Sequence, residues 1–319
     1  MMRMLKYIAK RLLIALPVLI GITLIDFAMT CMAGSPLDAL VGPRVSADAV
    51  AAKEIALGLD KPFYVQYWIW LKQLLQGNMG YSMKSYQPVA KMIGEHIWPT
   101  LLLMGSSFLV GLLIALPAGV YSATHQYTKR DYAVVTASFV GTAVPSFFLA
   151  LLFIYIFNIQ LGWLPSSGMT TLGADGGFLD VLRHLILPMM VLAIGMAGIN
   201  IRYIRSAVLE ILGKDYLRTA KAKGIGRKKV VVRHALRNAL VTVVTIFGMQ
   251  LPMLLGGAVI VEQVFSWPGL GLMTMSAISA RDYPVIMGVC LLSAVVVLVG
   301  NLLTDILYAV VDPTIRLDA

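Results

Sequence analysis

Long apolar runs alternate with short polar connections along this chain. A helix needs about 20 mostly apolar residues to cross the hydrocarbon of a bilayer. Six runs reach that length: 9–31, 100–123, 132–157, 185–204, 239–261 and 283–311. They predict an all-α membrane protein with six transmembrane helices. The first run follows a basic head, "MMRMLKYIAKR", as a signal peptide would. A cleavable apolar region is usually about 7–15 residues long. This run extends from Leu12 to about Met32, so it is expected to remain as a spanning helix. Runs one to five each carry a proline, Pro17, Pro117, Pro145, Pro188 and Pro252. Each removes a backbone donor and favours a kink. Such bends either set packing or shape a cavity that moves.

Between the first two runs, 34–98 reads as a small external helical subdomain. "VSADAVAAKEIALGL" has Ser46 as a helix cap and Gly58 as a stop. "PFYVQYWIWLKQLLQG" is a second helix with an aromatic face, and Gly77, Gly80 and Pro88 mark turns. Tyr64, Tyr67, Trp68 and Trp70 suit a membrane-surface belt, a partner contact or packing of the subdomain. The domain division is then 1–33 for the N-terminal tail and first span, 34–98 for the subdomain, and 99–319 for a five-helix core.

Composition supports the membrane reading: 59% of the 319 residues are hydrophobic and 13% charged. A soluble domain is about 45–50% apolar and about 25% charged. The formal net charge of +10 would suggest nucleic acid in a soluble protein, but its distribution does not. Eleven of the 26 basic residues fall between Arg202 and Arg237, and four in the first eleven positions. The 158–182 connection has no Lys or Arg and carries Asp175 and Asp180. This is the positive-inside pattern. It places both termini and the 206–237 segment in the cytoplasm, with bases near lipid headgroups. No base-reading motif accompanies the charge, so no nucleic-acid partner is expected.

Candidate chemistry is sparse. There is no G-x-x-x-x-G-K-[ST] phosphate loop and no H-E-x-x-H, and the four histidines have no metal-ligand spacing. No catalytic residue, metal or cofactor is assigned to this chain. Cys31 and Cys290 read as small apolar packing residues rather than a disulfide pair. Asp26 and Asp305 lie in runs one and six. Intramembrane carboxylates mark proton or ion pathways by default, yet both stand toward run ends, where pairing or hydration is cheaper. Thr142, Asn200, Gln250, Met253 and Asn301 are candidates to line a passage, with Thr136, Ser138 and Thr304 beside them. Interhelical hydrogen bonding would use the same residue types.

The basic segment has finer detail. Gly213 breaks a helix, Asp215 is suited to cap a short new one, and Gly224 to end it. Tyr216, Thr219, Ala220 and Lys223 share one face, and Ala220 and Ala222 permit close approach of another surface. After Gly226, "RKKVVVRHALRNAL" reads as an amphipathic helix leading into run five. Docking to a cytoplasmic partner and a solvated connecting loop both fit these residues.

"RTAKAKGIGRKKVVVRHALRNAL" resembles the coupling segment, the EAA loop, of ABC importer permeases of the peptide/nickel group. Arg218 stands where the general pattern has Glu, followed by Thr219 and Ala220, with Gly224 at the expected spacing. That departure is usual in peptide permeases. "GLDKPFYVQY", "AVPSFFLAL", "VIVEQVFSWPGLG", "RDYPVIMG" and "LYAVVDPTIRL" extend the resemblance over nearly the whole chain. The resemblance implies a type I importer permease of the bacterial inner membrane. It implies a homologous second permease subunit, two cytoplasmic ATPase subunits that bind ATP and Mg, and an external solute-binding protein. It assigns ATPase coupling to Asp215, Tyr216, Leu217, Arg218, Thr219, Ala220, Lys221, Ala222, Lys223 and Gly224. Di- or oligopeptides are the expected substrate, with glutathione or nickel complexes as alternatives. An ion-coupled secondary transporter using Asp26 or Asp305 is the alternative from another class.

Overall fold

A computed structural model describes residues 2–32, 55, 58, 60–173, 176–215, 250 and 258–311. The described elements are helical: α1 (Met2–Met32), α2 (Phe63–Leu75), α3 (Val89–Thr124), α4 (Lys129–Ala143), α5 (Ser146–Phe153), α6 (Phe178–Leu212), α7 (Val259–Val264), α8 (Leu270–Ala280) and α9 (Tyr283–Val311). A π-helical stretch, Ile154–Gln160, continues α5. No strand occurs among the described residues beyond an isolated bridge between Tyr81 and Pro88. Four helices are long and apolar enough to span, in α1, α3, α6 and α9, and a bent α4–α5 pair makes up to five. The predicted fifth run falls mostly outside the described residues. So do the Ser46-capped helix, the helix from Tyr216 to Gly224, the amphipathic 227–240 stretch, Met253 and the Asp305 side chain.

The described residues of Met1–His96 and Met273–Val296 form one compact unit. Here α2 starts after Pro62 and ends in a Schellman motif. Gly77 takes φ +82°, its N–H donates to Leu74 O, and Asn78 N–H donates to Gln73 O. The aromatic face of α2 divides. Tyr67 and Trp70 pack against Phe27 of α1, with ring centroids 5.6 and 5.7 Å apart, and the Tyr67 hydroxyl lies 3.0 Å from Thr23 Oγ1. Tyr64 and Trp68 stay exposed. Buried Asp282, just before α9, accepts hydrogen bonds from Ser82 Oγ and from Met83 N–H at 3.0 Å. One carboxylate therefore closes the turn leading into α3 onto the start of α9. Asp26 shares a hydrogen bond with Cys290, and both cysteines are free thiols.

The second unit holds the described residues of Ile97–Leu272 and Val297–Ala319. Its core lies where α6 meets α3 and α4. Ala115 and Ala123 of α3 bury against Ala197, Ile201, Ile204 and Val208 of α6. Small residues let these backbones approach. A Cβ on Gly119 would stand 2.8 Å from Ile204 Cγ2, and one on Gly198 would stand 2.6 Å from Ser138 O of α4.

The run 132–157 was expected as one span, and the structure bends it by 95° between α4 and α5. Val144 is extended (φ −72°, ψ 121°), as a residue before proline prefers to be, and Pro145 then starts α5. Pro17, Pro99, Pro117 and Pro188 lie inside unbroken helices. The bend persists because α5 docks Ala150 with Leu187, Val191, Val261 and Phe265 in a separate apolar cluster.

Candidate functional site

α6 carries the chain toward the basic segment. It is unbroken over its 35 residues and ends at Leu212 with Gly213 at the C-cap, as the sequence predicted. Gly213 N–H donates to Leu209 O and Glu210 O at 3.2 Å, so the last turn is closed. Lys214 then pairs with Glu210 at 3.0 Å on the surface. Asp215 is the one residue of the 215–224 segment that the structure describes. Tyr216, Leu217, Arg218, Thr219, Ala220, Lys221, Ala222, Lys223 and Gly224 lie outside the described residues.

About two turns further into the bundle, charge is concentrated at positions that no motif marks. Asp131, 2% exposed, sits in the first turn of α4. Arg205 of α6 donates to both its oxygens, Nε to Oδ1 at 2.8 Å and Nη2 to Oδ2 at 2.7 Å. Ser122 Oγ near the end of α3 donates to the same carboxylate. So does Tyr127 N–H, at 3.0 Å, from the α3–α4 link. Tyr127 itself takes φ +62°, a conformation uncommon for a side-chain-bearing residue. Thr128 caps α4 through Asp131 N–H at 3.4 Å. The bidentate fork is the geometry that guanidinium and carboxylate share best. A Thr followed three positions later by an acid was the available signal, since it resembles a capping box. The partner, 74 positions away, had none.

The passage candidates are dispersed. Asn200 of α6 is buried, and its Oδ1 accepts from Gln250 Nε2 at 2.8 Å. Its Nδ2 has no protein partner among the described residues. Thr142 donates back to Phe139 O at 3.0 Å within α4 and accepts from Arg202 Nη1 at 3.4 Å. Arg202 also lies 4.8 Å over the Phe139 ring. Asn301 on α9 is exposed. The structure thus joins Asn200 to Gln250 and Thr142 to Arg202, as two separate polar contacts on α6.

A third centre folds the motif "EQVFSWPGLG". Glu262 is fully buried. Its Oε1 accepts from Thr100 Oγ1 at 3.0 Å and its Oε2 from Leu272 N–H at 2.9 Å. Thr100 Oγ1 accepts from Leu270 N–H at 2.7 Å, and Trp267 Nε1 donates to Pro99 O at 2.9 Å. A Cβ on Gly269 would lie 2.5 Å from the Glu262 carboxylate, and one on Gly271 2.8 Å. These glycines let the loop close over the acid and deliver the Leu272 N–H of α8 to it. Buried Trp267 packs with Leu103 of α3 and Leu185 of α6.

No cluster of His, Cys, Asp or Glu suited to a metal occurs among the described residues. A closely packed set of long apolar helices, with short loops held by single buried carboxylates, defines a helical protein of the membrane-embedded class. Known proteins agree. Residues 115–317 match the binding-protein-dependent transport system inner membrane component family, and residues 4–103 match its N-terminal membrane-component family. Oligopeptide transport system permease protein AppB of Bacillus subtilis (strain 168) is 45% identical over 314 residues, 97% of this chain and 99% of that protein. A putative peptide permease protein of Brucella ovis is 43% identical, over 98% of this chain and 99% of that one. Glutathione transport system permease protein GsiC of Salmonella typhimurium is 38% identical over the same shares. The MetNI methionine ABC transporter, in an inward-facing form, shares the fold at TM-score 0.56 and 20% identity, over 69% of this chain and 96% of that one. The chain belongs to the family of inner membrane components of binding-protein-dependent transport systems. It is a multi-pass membrane permease, and the family's role is transport through the membrane rather than catalysis.

Proposed function

We propose that this chain is one of two homologous permease subunits in an ATP-driven importer of di- or oligopeptides. Two cytoplasmic ATPase subunits, holding ATP and Mg, would drive it, and an external binding protein would deliver the peptide. The 45% identity with an oligopeptide permease, over 97% of the chain, carries this reading. In this arrangement both termini and 206–237 face the cytoplasm, and 34–98 forms an external subdomain. The 215–224 segment docks on an ATPase. The closed end of α6 at Gly213, which hands the chain directly to Asp215, supports that role. Residues Thr142, Asn200, Gln250, Met253 and Asn301 are assigned to the passage.

ATP binding must favour one arrangement of the bundle over another, since a ligand shifts an equilibrium only through differential affinity. The Gly-mediated contacts of α6 with α3 and α4 give that bundle close-packed surfaces for such a change. Glutathione is a second substrate reading, favoured by the 38% identity with a glutathione permease. The test is uptake into proteoliposomes that contain the full transporter with its binding protein. ATP-dependent accumulation of labelled two- to six-residue peptides is expected. Accumulation of glutathione alone would replace peptides by glutathione, and uptake driven by an ion gradient without ATP would overturn the reading.

A further inference from the structure

Asp131 is the meeting point of three helices, at the end of α3, the start of α4 and the last two turns of α6. Ser122 stands two residues before the end of α3, Asp131 two residues after the start of α4, and Arg205 seven residues before the end of α6. We infer that Arg205 and Asp131 are positioning residues that make these three helix ends move as one piece. Displacement at 215–224 then reaches α3 and α4 as well as α6. The inference rests on the coupling role proposed above for 215–224.

The geometry favours transmission over simple cohesion. α6 runs unbroken past Arg205 to Leu212, so tilt or rotation imposed at its C-terminal end arrives at Arg205 with little loss. The Arg205 fork engages both Asp131 oxygens, and rotation of α6 against α4 would break both bonds together. The other polar ties between α6 and α4 are long, Arg202 Nη1 to Ser138 O and to Thr142 Oγ1 at 3.4 Å each. The α3–α4 link is short and is itself held by Asp131 through Tyr127 N–H. It therefore has little slack to absorb movement of one helix against the other. A buried ion pair is also a weak way to gain stability, because desolvation offsets much of the attraction and apolar packing often does as well. Apolar side chains, however, slide past one another, whereas a bidentate pair sets an angle.

The experiment uses the complete transporter in proteoliposomes, with labelled two- to six-residue peptides as probe. It compares wild type with Arg205→Lys, Asp131→Asn, the double variant, and the apolar pair Asp131→Leu with Arg205→Met. Two quantities are read on the assembled complex: its thermal midpoint, and peptide taken up per ATP hydrolysed. Uptake per ATP is expected to fall about five- to tenfold in each variant, inside the roughly two- to thirtyfold span of coupling changes along such a path. The double variant is expected to be no worse than either single one. The apolar pair is expected to keep the thermal midpoint and still lose coupling. Uptake per ATP within about twofold of wild type in Arg205→Lys and in the apolar pair would overturn the inference, whatever their stability. Ala220→Glu separates the two failures. If it uncouples while Arg205→Lys does not, only this inference falls. If Ala220→Glu is also silent, the coupling role of 215–224 falls as well.

Discussion

Gly195 and Gly198 lie about one turn apart on α6, and their surroundings differ. A Cβ added at Gly198 would stand 2.6 Å from Ser138 O and 2.8 Å from Thr142 Cγ2, both on α4. One added at Gly195 meets nothing within 4 Å. A carbon rests against a carbonyl oxygen at about 3.3–3.6 Å, so Gly198→Ala must push α4 away by about 0.7 Å. The obstacle is backbone, and no side-chain rotation relieves it. Overpacking of this kind costs about 1–3 kcal/mol. Replacing a helical glycine by alanine returns up to about 1 kcal/mol. The net expectation is a loss of up to about 2 kcal/mol for Gly198→Ala, and between no change and a gain of about 1 kcal/mol for Gly195→Ala. The assay is an SDS titration of the purified subunit in mixed micelles, followed by far-UV circular dichroism and tryptophan fluorescence. Equal midpoints for the two variants would refute the close α4–α6 packing described here.

Other outcomes follow from the buried polar centres. Glu262→Ala strands the Leu272 N–H and Thr100 hydroxyl donors in a sealed site and is expected to cost about 3 kcal/mol in the same titration, while Glu262→Gln, which keeps one acceptor, costs less. Trp267→Phe removes the indole donor to Pro99 O and is expected to cost about 1 kcal/mol; a midpoint equal to wild type would contradict the buried indole bond. Ala220→Glu places a charged, bulky group in the segment proposed above to dock on an ATPase. ATP hydrolysis stimulated by loaded binding protein should fall by about tenfold or more, and unchanged stimulation would refute docking through that segment.

Much of the fold was legible because length and hydropathy decide it. The last run, read as 283–311, is the observed α9, and the second helix read in 34–98 is α2. The Gly213 stop was legible for the same local reason. The 95° break was not, since Pro145 looked like four other prolines in the spans. What distinguishes it is the docking of α5 on Leu187, Val191 and Phe265, a tertiary fact. The polar centres were less legible still. Asp131 finds Arg205 across 74 positions and Glu262 finds Thr100 across 162. A lone acid near a connection reads as solvated until its partners are brought beside it. The glycines that matter, Gly119, Gly198, Gly269 and Gly271, were equally silent, because their role is what stands opposite them.

The central claim is that this chain forms part of a passage opened by ATP for peptides. Its most direct test is accumulation of labelled two- to six-residue peptides in proteoliposomes holding the full transporter, loaded binding protein outside and ATP at the ATPase face. The account predicts accumulation that requires ATP, the binding protein and this subunit together. Accumulation that persists without ATP under an imposed proton or sodium gradient would contradict it.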